Sequence, residues 1–309
     1  MCGCTCISIP PFVMPVQPLE ERVIEGKGPN KILLLDISGI ISEERQSRGM
    51  GLKEELSMVD RLKEELKKAE SDKMIRGIIV RINSPGGTVT ASDIVYHELR
   101  EFKKKTGAKV IASLMDTATS GGYYVAVAAD SIIAHPTTIT GSIGVIVLKF
   151  NVQELLSKIG VEEESITSGD KKDLMSPFRP TTPEEREILQ TIIDKLHHRF
   201  IDVIEQGRPA LTRAAITRIA DGRIFTSDQA LEAKLIDGIG YLDDTINMLR
   251  DDLGMQDTSV IVYYRPGSYR GTIYSGGIPA SPPCFNLISI NGKELSVPPD
   301  VRFMYLWRP

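Results

Sequence analysis

Cysteine, histidine and tryptophan are scarce in this chain of 309 residues, which contains four, four and one of them respectively. Cys2, Cys4 and Cys6 crowd the amino terminus and Cys284 stands alone, so their spacing supports neither a disulfide framework nor a zinc site. No segment approaches the roughly 18 consecutive apolar residues that a membrane helix needs. The net charge of −4 provides no basic field for nucleic acid. We therefore expect a soluble globular chain that binds neither metal nor nucleic acid.

The amino-terminal residues contain one feature that fits a lipid anchor. Small Gly3 precedes Cys4, as at the end of a lipoprotein signal, although the apolar segment of such a signal is absent from this sequence. Cys4 is therefore a candidate for lipidation, and the alternative is an incidental thiol in a frayed terminus. Four prolines between residues 10 and 18 predict that residues 1–30 form an extended leader or a truncated membrane or lipid anchor region.

Short apolar runs alternate with amphipathic segments through the middle of the chain. The apolar runs predict strands at residues 31–37, 75–82, 109–115, 131–135 and 142–150. Leucines at helical spacing predict a helix near residues 52–66, and a second helix follows Gly87 with Thr90 as its N-cap. Thr182, Pro183 and Glu185 predict the start of a long helix with a capping box.

This alternation of strands and helices is typical of parallel βαβ units, whose sites lie at the carboxyl ends of the strands. We find no internal repeat and predict one α/β domain over residues 31–265. Glycine, serine and proline become frequent after about residue 266, so residues 266–309 are predicted to form an irregular tail.

Two glycine pairs follow predicted strands, at Gly86–Gly87 and at Gly121–Gly122. Glycine allows backbone N–H groups to approach a reacting atom closely, so Gly87 and Gly121 are candidate oxyanion donors. Ser120 stands before the second pair, at the predicted start of a helix, where it is a candidate nucleophile. The alternative is two tight turns with Ser120 as an ordinary helix cap.

A serine nucleophile needs a base, and two residue types could supply one. His135 follows a strand and could complete a triad, although a histidine at such a position is more often structural. Lys171 and Lys172 are adjacent, and a lysine acts as a base only when burial and its neighbours lower its pKa. The sequence alone leaves both alternatives open, together with the possibility that the lysines are solvated surface charges.

Four motifs occur in the order found in the signal peptide peptidase A family, namely INSPGG at 82–87, TSGGYYVA at 119–126, TGSIGV at 140–145 and SGDKKDLMSP at 168–177. GRIFT at 222–226 and AKLIDGIG at 233–240 continue the likeness, which covers about residues 32–249. The chain thus resembles these bacterial serine peptidases. The resemblance implies a Clp/crotonase-like fold of repeated βαβ units, with a mainly parallel sheet and an appended helical region.

The resemblance also implies a Ser–Lys dyad in place of a Ser–His–acid triad. Ser120 matches the family's nucleophile and Lys172 its base, while Ser142 matches a serine that helps to hold the lysine amine. Gly87 and Gly121 match the oxyanion donors. Neither a metal nor an organic cofactor is implied, and His135 becomes structural.

The activity implied by the resemblance is endopeptidase cleavage of remnant signal peptides and other apolar, unfolded peptides. The expected location is the outer face of the cytoplasmic membrane, against the membrane surface. Short members of the family form homo-oligomeric rings in which neighbouring subunits supply the serine and the lysine of one site. The family's amino-terminal membrane helix is absent from this sequence, so we expect a late annotated start, a lipid on Cys4 or a soluble member.

Three other functions fit parts of the same pattern. A crotonase-type acyl-CoA enzyme would share the fold and the paired amides but would use carboxylates and no nucleophile. A non-catalytic ring scaffold associated with membranes would keep the oligomer and hydrolyse nothing. A Clp-like peptidase of broader specificity would hydrolyse peptides without a preference for signal peptides.

Overall fold

The computed structural model of the chain describes residues 17–44, 46–48, 53–266, 271–275 and 303–307. The strands of this described part are β1 (Glu20–Gly26), β2 (Asn30–Ser38), β3 (Gln46–Arg48), β4 (Lys53–Glu55), β5 (Ile75–Ser84), β6 (Gly86–Thr88), β7 (Lys109–Thr119), β8 (Ser131–Ala134), β9 (Ile139–Gly141), β10 (Ile146–Val147), β11 (Ile224–Thr226), β12 (Gly238–Ile239), β13 (Thr258–Tyr264) and β14 (Phe303–Leu306). Its helices are α1 (Met58–Glu70), α2 (Val89–Thr106), α3 (Gly121–Ala126), α4 (Gln153–Lys158), α5 (Pro183–Gly207), α6 (Arg213–Ile219), α7 (Ser227–Glu232) and α8 (Leu242–Leu253). Among these helices none combines the length and the apolar character needed to span a bilayer.

A largely parallel sheet forms the centre of the molecule, with the strand order β1-β13-β2-β5-β7-β8-β12 over the described residues. The neighbours in the order β13-β2-β5-β7-β8-β12 are parallel to each other, whereas β1 at one edge is antiparallel to its partner β13 and β11 is antiparallel to β9. The carboxyl end of β7 also pairs with β9, which in turn pairs with β11. The parallel strands end at one edge of the sheet, where a site is expected.

Helices cover both faces of this sheet. Successive side chains of each strand point to opposite sides, so each strand contributes to an apolar core on either face. Alternate residues of β2, β5 and β7 enter a large core with α1, α2, α3 and α5, and these are Leu33, Leu35, Ile37, Ile78, Val80, Ile82, Val110, Ala112 and Leu114. The intervening residues enter a smaller core with α8, and these include Ile32, Leu34, Ile79 and Ile111. The continuous apolar runs of the sequence therefore correspond to strands buried on both faces.

Most predicted elements are present, with two differences in their bounds. The helix after Gly87 is capped by Thr88, whose Oγ1 accepts from the Ala91 N–H at 3.2 Å, and the predicted cap Thr90 is wrong because it lies inside α2. The strand predicted at 142–150 is wrong in extent. Only residues 146–147 of it form a strand, because Ser142 has a positive φ of 52° and ends β9.

The sheets extend beyond the predicted domain 31–265 at both ends. β1 lies within the predicted leader 1–30 and pairs with β13, and β14 lies within the predicted irregular tail 266–309. β14 joins β6 and β10 in a second sheet of order β10-β14-β6. Cys4 lies outside the described residues.

Candidate active site

Ser120 lies where β7 ends and α3 begins, in a strained conformation. Its backbone angles are φ 51° and ψ −115°, in a region that residues other than glycine rarely adopt. Its N–H donates to the Gly141 carbonyl at 2.7 Å, and its own carbonyl accepts from the Tyr124 N–H at 2.8 Å. A strained serine on a strand–turn–helix junction is the arrangement that presents a nucleophile at the edge of a sheet.

The two predicted oxyanion donors lie next to each other beside Ser120. A Cβ atom built on Gly121 would lie 3.1 Å from the Gly87 nitrogen, and one built on Gly86 would lie 2.8 Å from the Gly121 nitrogen. At Gly87 an added Cβ would come within 1.9 Å of the Ile41 carbonyl oxygen. Glycine is required here because the backbones of β6, α3 and residue 41 approach one another too closely for a side chain.

Ser142 is held beside the same junction. β7 and β9 pair in register with Thr119 opposite Gly141, the residue whose carbonyl accepts from Ser120. The Ser142 N–H donates to the Arg223 carbonyl at 2.7 Å, and Ser142 is 8% exposed. The fold thus gathers Gly87, Ser120, Gly121 and Ser142 at one edge of the sheet.

The two candidate lysines make no hydrogen bond or ion pair with this group among the described residues. Lys171 and Lys172 are both exposed, and the Lys172 N–H donates to the Gly169 carbonyl at 3.0 Å within a turn. Among the described residues, the Lys172 side chain makes no hydrogen bond or ion pair that joins it to Ser120. The role of Lys172 therefore stays a prediction.

Apolar side chains in the segment that precedes these lysines are exposed to solvent. Residues 148–166 include Leu148, Phe150, Leu155, Ile159, Val161 and Ile166, all at least 38% exposed, and Ile166 is 96% exposed. None of the residues of α4 is buried. This segment therefore presents an apolar surface that the described part of the chain does not cover.

The triad alternative finds no geometric support in the described residues. The His135 ring nitrogen Nδ1 lies 2.9 Å from Thr137 Oγ1, and its ring packs edge-on against Tyr241 at 4.9 Å between centroids. The His135 N–H donates to the Leu114 carbonyl, six residues before Ser120 along β7. These contacts fit the structural role implied for His135.

Two features beside the site were not predicted from the sequence. The Tyr124 hydroxyl donates to Asp93, which also pairs with Arg199 at 2.9 Å, and burial together with Asp93 raises the pKa of Tyr124. The strand β14 lies beside Gly86 and Gly87, and its Tyr305 is fully buried. The only signal for this strand is the apolar run Phe303–Trp307 in a tail otherwise rich in glycine, serine and proline.

Sequence profiles assign these elements to known families. The profile of peptidase family S49 matches residues 102–256, which include Ser120, Ser142 and Lys172, and the Clp protease profile matches residues 37–140. The chain belongs to peptidase family S49. It is therefore a serine peptidase, as the resemblance to signal peptide peptidase A implied. The expected α/β fold with a mainly parallel sheet is confirmed, and the match of the Clp protease profile agrees with its expected Clp-like character.

Two relatives found by sequence agree with this assignment. The chain is 36% identical over 79% of its length to a putative signal peptide peptidase SppA from Enterococcus faecium and covers 70% of that protein. It is 32% identical over 71% of its length to the chloroplastic serine protease SPPA from Arabidopsis thaliana, of which it covers 32%. A solved structure of a mutant of the 1510-N membrane-bound stomatin-specific protease aligns with 72% of this chain and 85% of its own, at a TM-score of 0.45 and 16% identity.

Proposed function

We propose that this peptidase is an endopeptidase that hydrolyses remnant signal peptides and other apolar peptides through Ser120. The observation that carries the proposal is the strained Ser120 beside the paired amides of Gly87 and Gly121. A hydroxyl next to two backbone N–H groups supplies a nucleophile and an oxyanion hole, which are the two parts that acyl transfer needs.

In the proposed mechanism, neutral Lys172 accepts the proton of the Ser120 hydroxyl while the Ser120 oxygen attacks the peptide carbonyl. The Gly87 and Gly121 N–H groups stabilise the oxyanion, a contribution of about 3 kcal/mol per donor in comparable sites. The protonated Lys172 then gives its proton to the leaving amine, and water hydrolyses the acyl-enzyme. Ser142 orients the lysine amine, and no step requires a cofactor.

We assign Lys172 of each site to a neighbouring subunit of a homo-oligomeric ring. The exposure of Lys172 and the uncovered apolar side chains of residues 148–166 support this arrangement. Apolar side chains clustered at a surface favour contact with a second protein surface. A head-to-tail contact between identical chains generates a closed ring when the rotation closes.

The proposed location is the outer face of the cytoplasmic membrane, where remnant signal peptides arise. Its support is the resemblance of the motifs to signal peptide peptidase A and the name of the relative from Enterococcus faecium. Cys4 remains the proposed lipid-bearing residue. Mass spectrometry of the chain purified from its membrane fraction tests this, because diacylglyceryl on Cys4 adds a defined mass.

The deciding experiment measures hydrolysis of a quenched apolar peptide by the wild type and three variants. We expect Ser120→Ala and Lys172→Ala to lose at least about a thousandfold in kcat/KM, and Lys171→Ala to remain active as the matched control. If Lys171→Ala is inactive and Lys172→Ala remains active, the base is Lys171. An active Ser120→Ala enzyme would favour a crotonase-type reaction, and an intact but inert wild-type oligomer would favour the scaffold.

A further inference from the structure

A sharp turn joins β5 to β6 immediately before Gly87, one of the two proposed oxyanion donors. It consists of Ser84, Pro85 and Gly86, and Gly86 has a positive φ of 103°. Glycine adopts positive and negative φ about equally readily, so the local sequence of the turn does not hold Gly86 in this conformation. Contacts with other parts of the chain must therefore keep the Gly87 amide in place.

Residues 39–41, which follow β2, hold the peptide groups on both sides of Gly87. The Ile41 N–H donates to the Gly86 carbonyl at 2.9 Å, and the Thr88 N–H donates to the Ile41 carbonyl at 3.0 Å. These two bonds form a parallel bridge between Ile41 and Gly87. In such a bridge the N–H and the carbonyl of Gly87 itself point to the opposite side, away from residues 39–41.

The Ser84 hydroxyl joins this segment to the turn. Its Oγ donates to the Gly39 carbonyl at 2.6 Å and accepts from the Gly86 N–H at 3.1 Å. Ser84 is fully buried, so a residue without the hydroxyl would leave two backbone groups without these bonds. The hydroxyl therefore fixes the Pro85–Gly86 peptide relative to the segment that holds both sides of Gly87.

The turn is also held in register with the strand that carries the nucleophile. The pairing of β5 with β7 becomes irregular just before Ser84. At that point the Asn83 side chain supplies a bond, because its Oδ1 accepts from the Thr117 N–H at 3.1 Å. Ser84 lies opposite Ala118, two residues before Ser120. The turn is thus fixed by β7 on one side and by the Ser84 hydroxyl on the other.

The start of α3 packs directly on Ser84. A Cβ atom built on Gly122 would lie 2.8 Å from the Ser84 carbonyl oxygen and 3.5 Å from its Cβ. Ser84 therefore supports both proposed donors, since it contacts the turn that leads to Gly87 and the helix that begins at Gly121.

We infer that Ser84 is a positioning residue of the oxyanion hole, whose buried hydroxyl keeps the Gly87 N–H directed at the substrate carbonyl oxygen as that oxygen becomes negative. The inference rests on the proposed function for the role of Gly87 as a donor. Donors stabilise an oxyanion best when they are already in place, because no reorganisation is then needed during the reaction. Ser84 itself touches neither the substrate nor the reacting atoms.

The first arm of the test compares peptide hydrolysis by Ser84→Ala and by a matched control, Ser227→Ala. Ser227 is 1% exposed, and its hydroxyl donates to the Pro136 carbonyl at 2.7 Å, so the control also removes one buried hydrogen bond. We expect kcat to fall about tenfold in Ser84→Ala with KM unchanged, because a misdirected donor weakens binding of the transition state alone. Ser227→Ala should keep its kcat. A Ser84→Ala enzyme that loses stability but keeps kcat would overturn the inference.

The second arm measures binding of a peptide boronate, whose tetrahedral adduct with Ser120 carries an oxygen that resembles the oxyanion. We expect Ser84→Ala to weaken its binding about tenfold, in step with kcat. Binding of an intact peptide, measured in the Ser120→Ala background, should be the same with and without Ser84→Ala. Equal weakening of both ligands would mean a general distortion of the groove and would also overturn the inference.

A third arm separates this inference from the proposed function. Amide hydrogen exchange over residues 83–90 needs no activity, and mass spectrometry follows it in the wild type and in both variants. We expect faster exchange in Ser84→Ala than in Ser227→Ala, because the Gly86 N–H loses its acceptor. Faster exchange together with an inert wild type would reject the proposed function and retain the hold of Ser84 on the turn. Unchanged exchange with an active wild type would reject the role of Ser84 alone.

Discussion

Two threonine hydroxyls near Ser120 differ in whether they have a hydrogen-bond partner. Thr119 Oγ1 is buried and has no partner among the described residues, whereas Thr140 Oγ1, on the paired strand β9, donates to the Ala118 carbonyl at 2.6 Å. Both residues are fully buried. Valine has nearly the shape of threonine and lacks the hydroxyl, so the same substitution isolates the hydrogen bond at each position.

We predict that Thr140→Val lowers the free energy of unfolding by about 1 kcal/mol, because the Ala118 carbonyl loses a buried donor. Thr119→Val should leave the free energy of unfolding unchanged or raise it, because valine removes a hydroxyl that is buried without a hydrogen-bond partner. Urea unfolding of the two variants measures the difference. Equal losses in both would mean that the Thr119 hydroxyl has a partner in solution.

Gly121 allows a more direct test of the oxyanion hole. A methyl group at this position would lie 2.4 Å from Ser92 Oγ, so Gly121→Ala must move the amide or the Ser92 side chain. We predict about a hundredfold loss of kcat with little change in KM, because a displaced donor no longer meets the oxyanion. Adding Ser92→Ala makes room for the methyl group and should recover part of kcat. A fully active Gly121→Ala enzyme would exclude Gly121 as a donor.

At the scale of elements, the start of α5 is held by a network of charges. The Thr182 Oγ1 accepts from the Glu185 N–H while Glu185 accepts from the Thr182 N–H, which confirms the predicted capping box. Arg179 pairs with Glu185 at 2.5 Å and with Asp173 at 2.7 Å. Two hydrogen bonds lower the pKa of the Glu185 carboxyl to about 2, and the one from the Arg179 guanidinium has a larger effect than the one from the Thr182 N–H.

We predict that Glu185 makes the stability of the chain depend on acid pH. A carboxyl whose pKa falls from 4.5 to about 2 on folding contributes stability fully above pH 4.5. That contribution is lost as the pH falls through about 2. Glu185→Gln should therefore be less stable than the wild type at pH 6, and the difference should shrink towards pH 2.

Urea midpoints measured between pH 2 and pH 6 check this prediction, and Glu187→Gln is the matched control. Glu187 is exposed on the same helix, and its side chain forms no ion pair among the described residues. A Glu185→Gln difference that is constant over this range would mean that the ionised carboxylate is not what stabilises the start of α5.

Sequence patterns predicted the elements whose cause is local and missed those whose cause is a distant contact. Apolar runs located β2, β5, β7 and β8, because strands buried on both faces have few polar residues. The cap of α2 was placed at Thr90 because Asp93 follows three residues later. In the fold, Asp93 instead binds Tyr124 and Arg199, which lie far from it in sequence.

The same distinction applies to the site across the whole molecule. Gly87, Ser120 and Gly121 could be grouped from the sequence because parallel strands end at one edge of the sheet, whereas Ser142 was implied only by the family resemblance. The placement of Tyr305 could not, because 185 residues separate it from Ser120 and its strand is only four residues long. A short strand whose register depends on partners at β6 and β10 has no local pattern that specifies it.

The proposed supply of the base by a neighbouring subunit concerns the whole assembly, and mixed oligomers test it. Suppose that neighbouring subunits supply Ser120 and Lys172 of one site. Coexpression of equal amounts of Ser120→Ala and Lys172→Ala chains then restores about one quarter of the sites. Each intact site needs a chain with Ser120 next to a chain with Lys172, and each of these chains is present in half of the positions. If each chain supplies both residues, the mixture stays inactive. Peptide hydrolysis by the mixture, relative to the wild type, distinguishes the two arrangements. Ser120→Ala mixed with Lys171→Ala is the control and should retain about half of the sites, because every chain keeps Lys172.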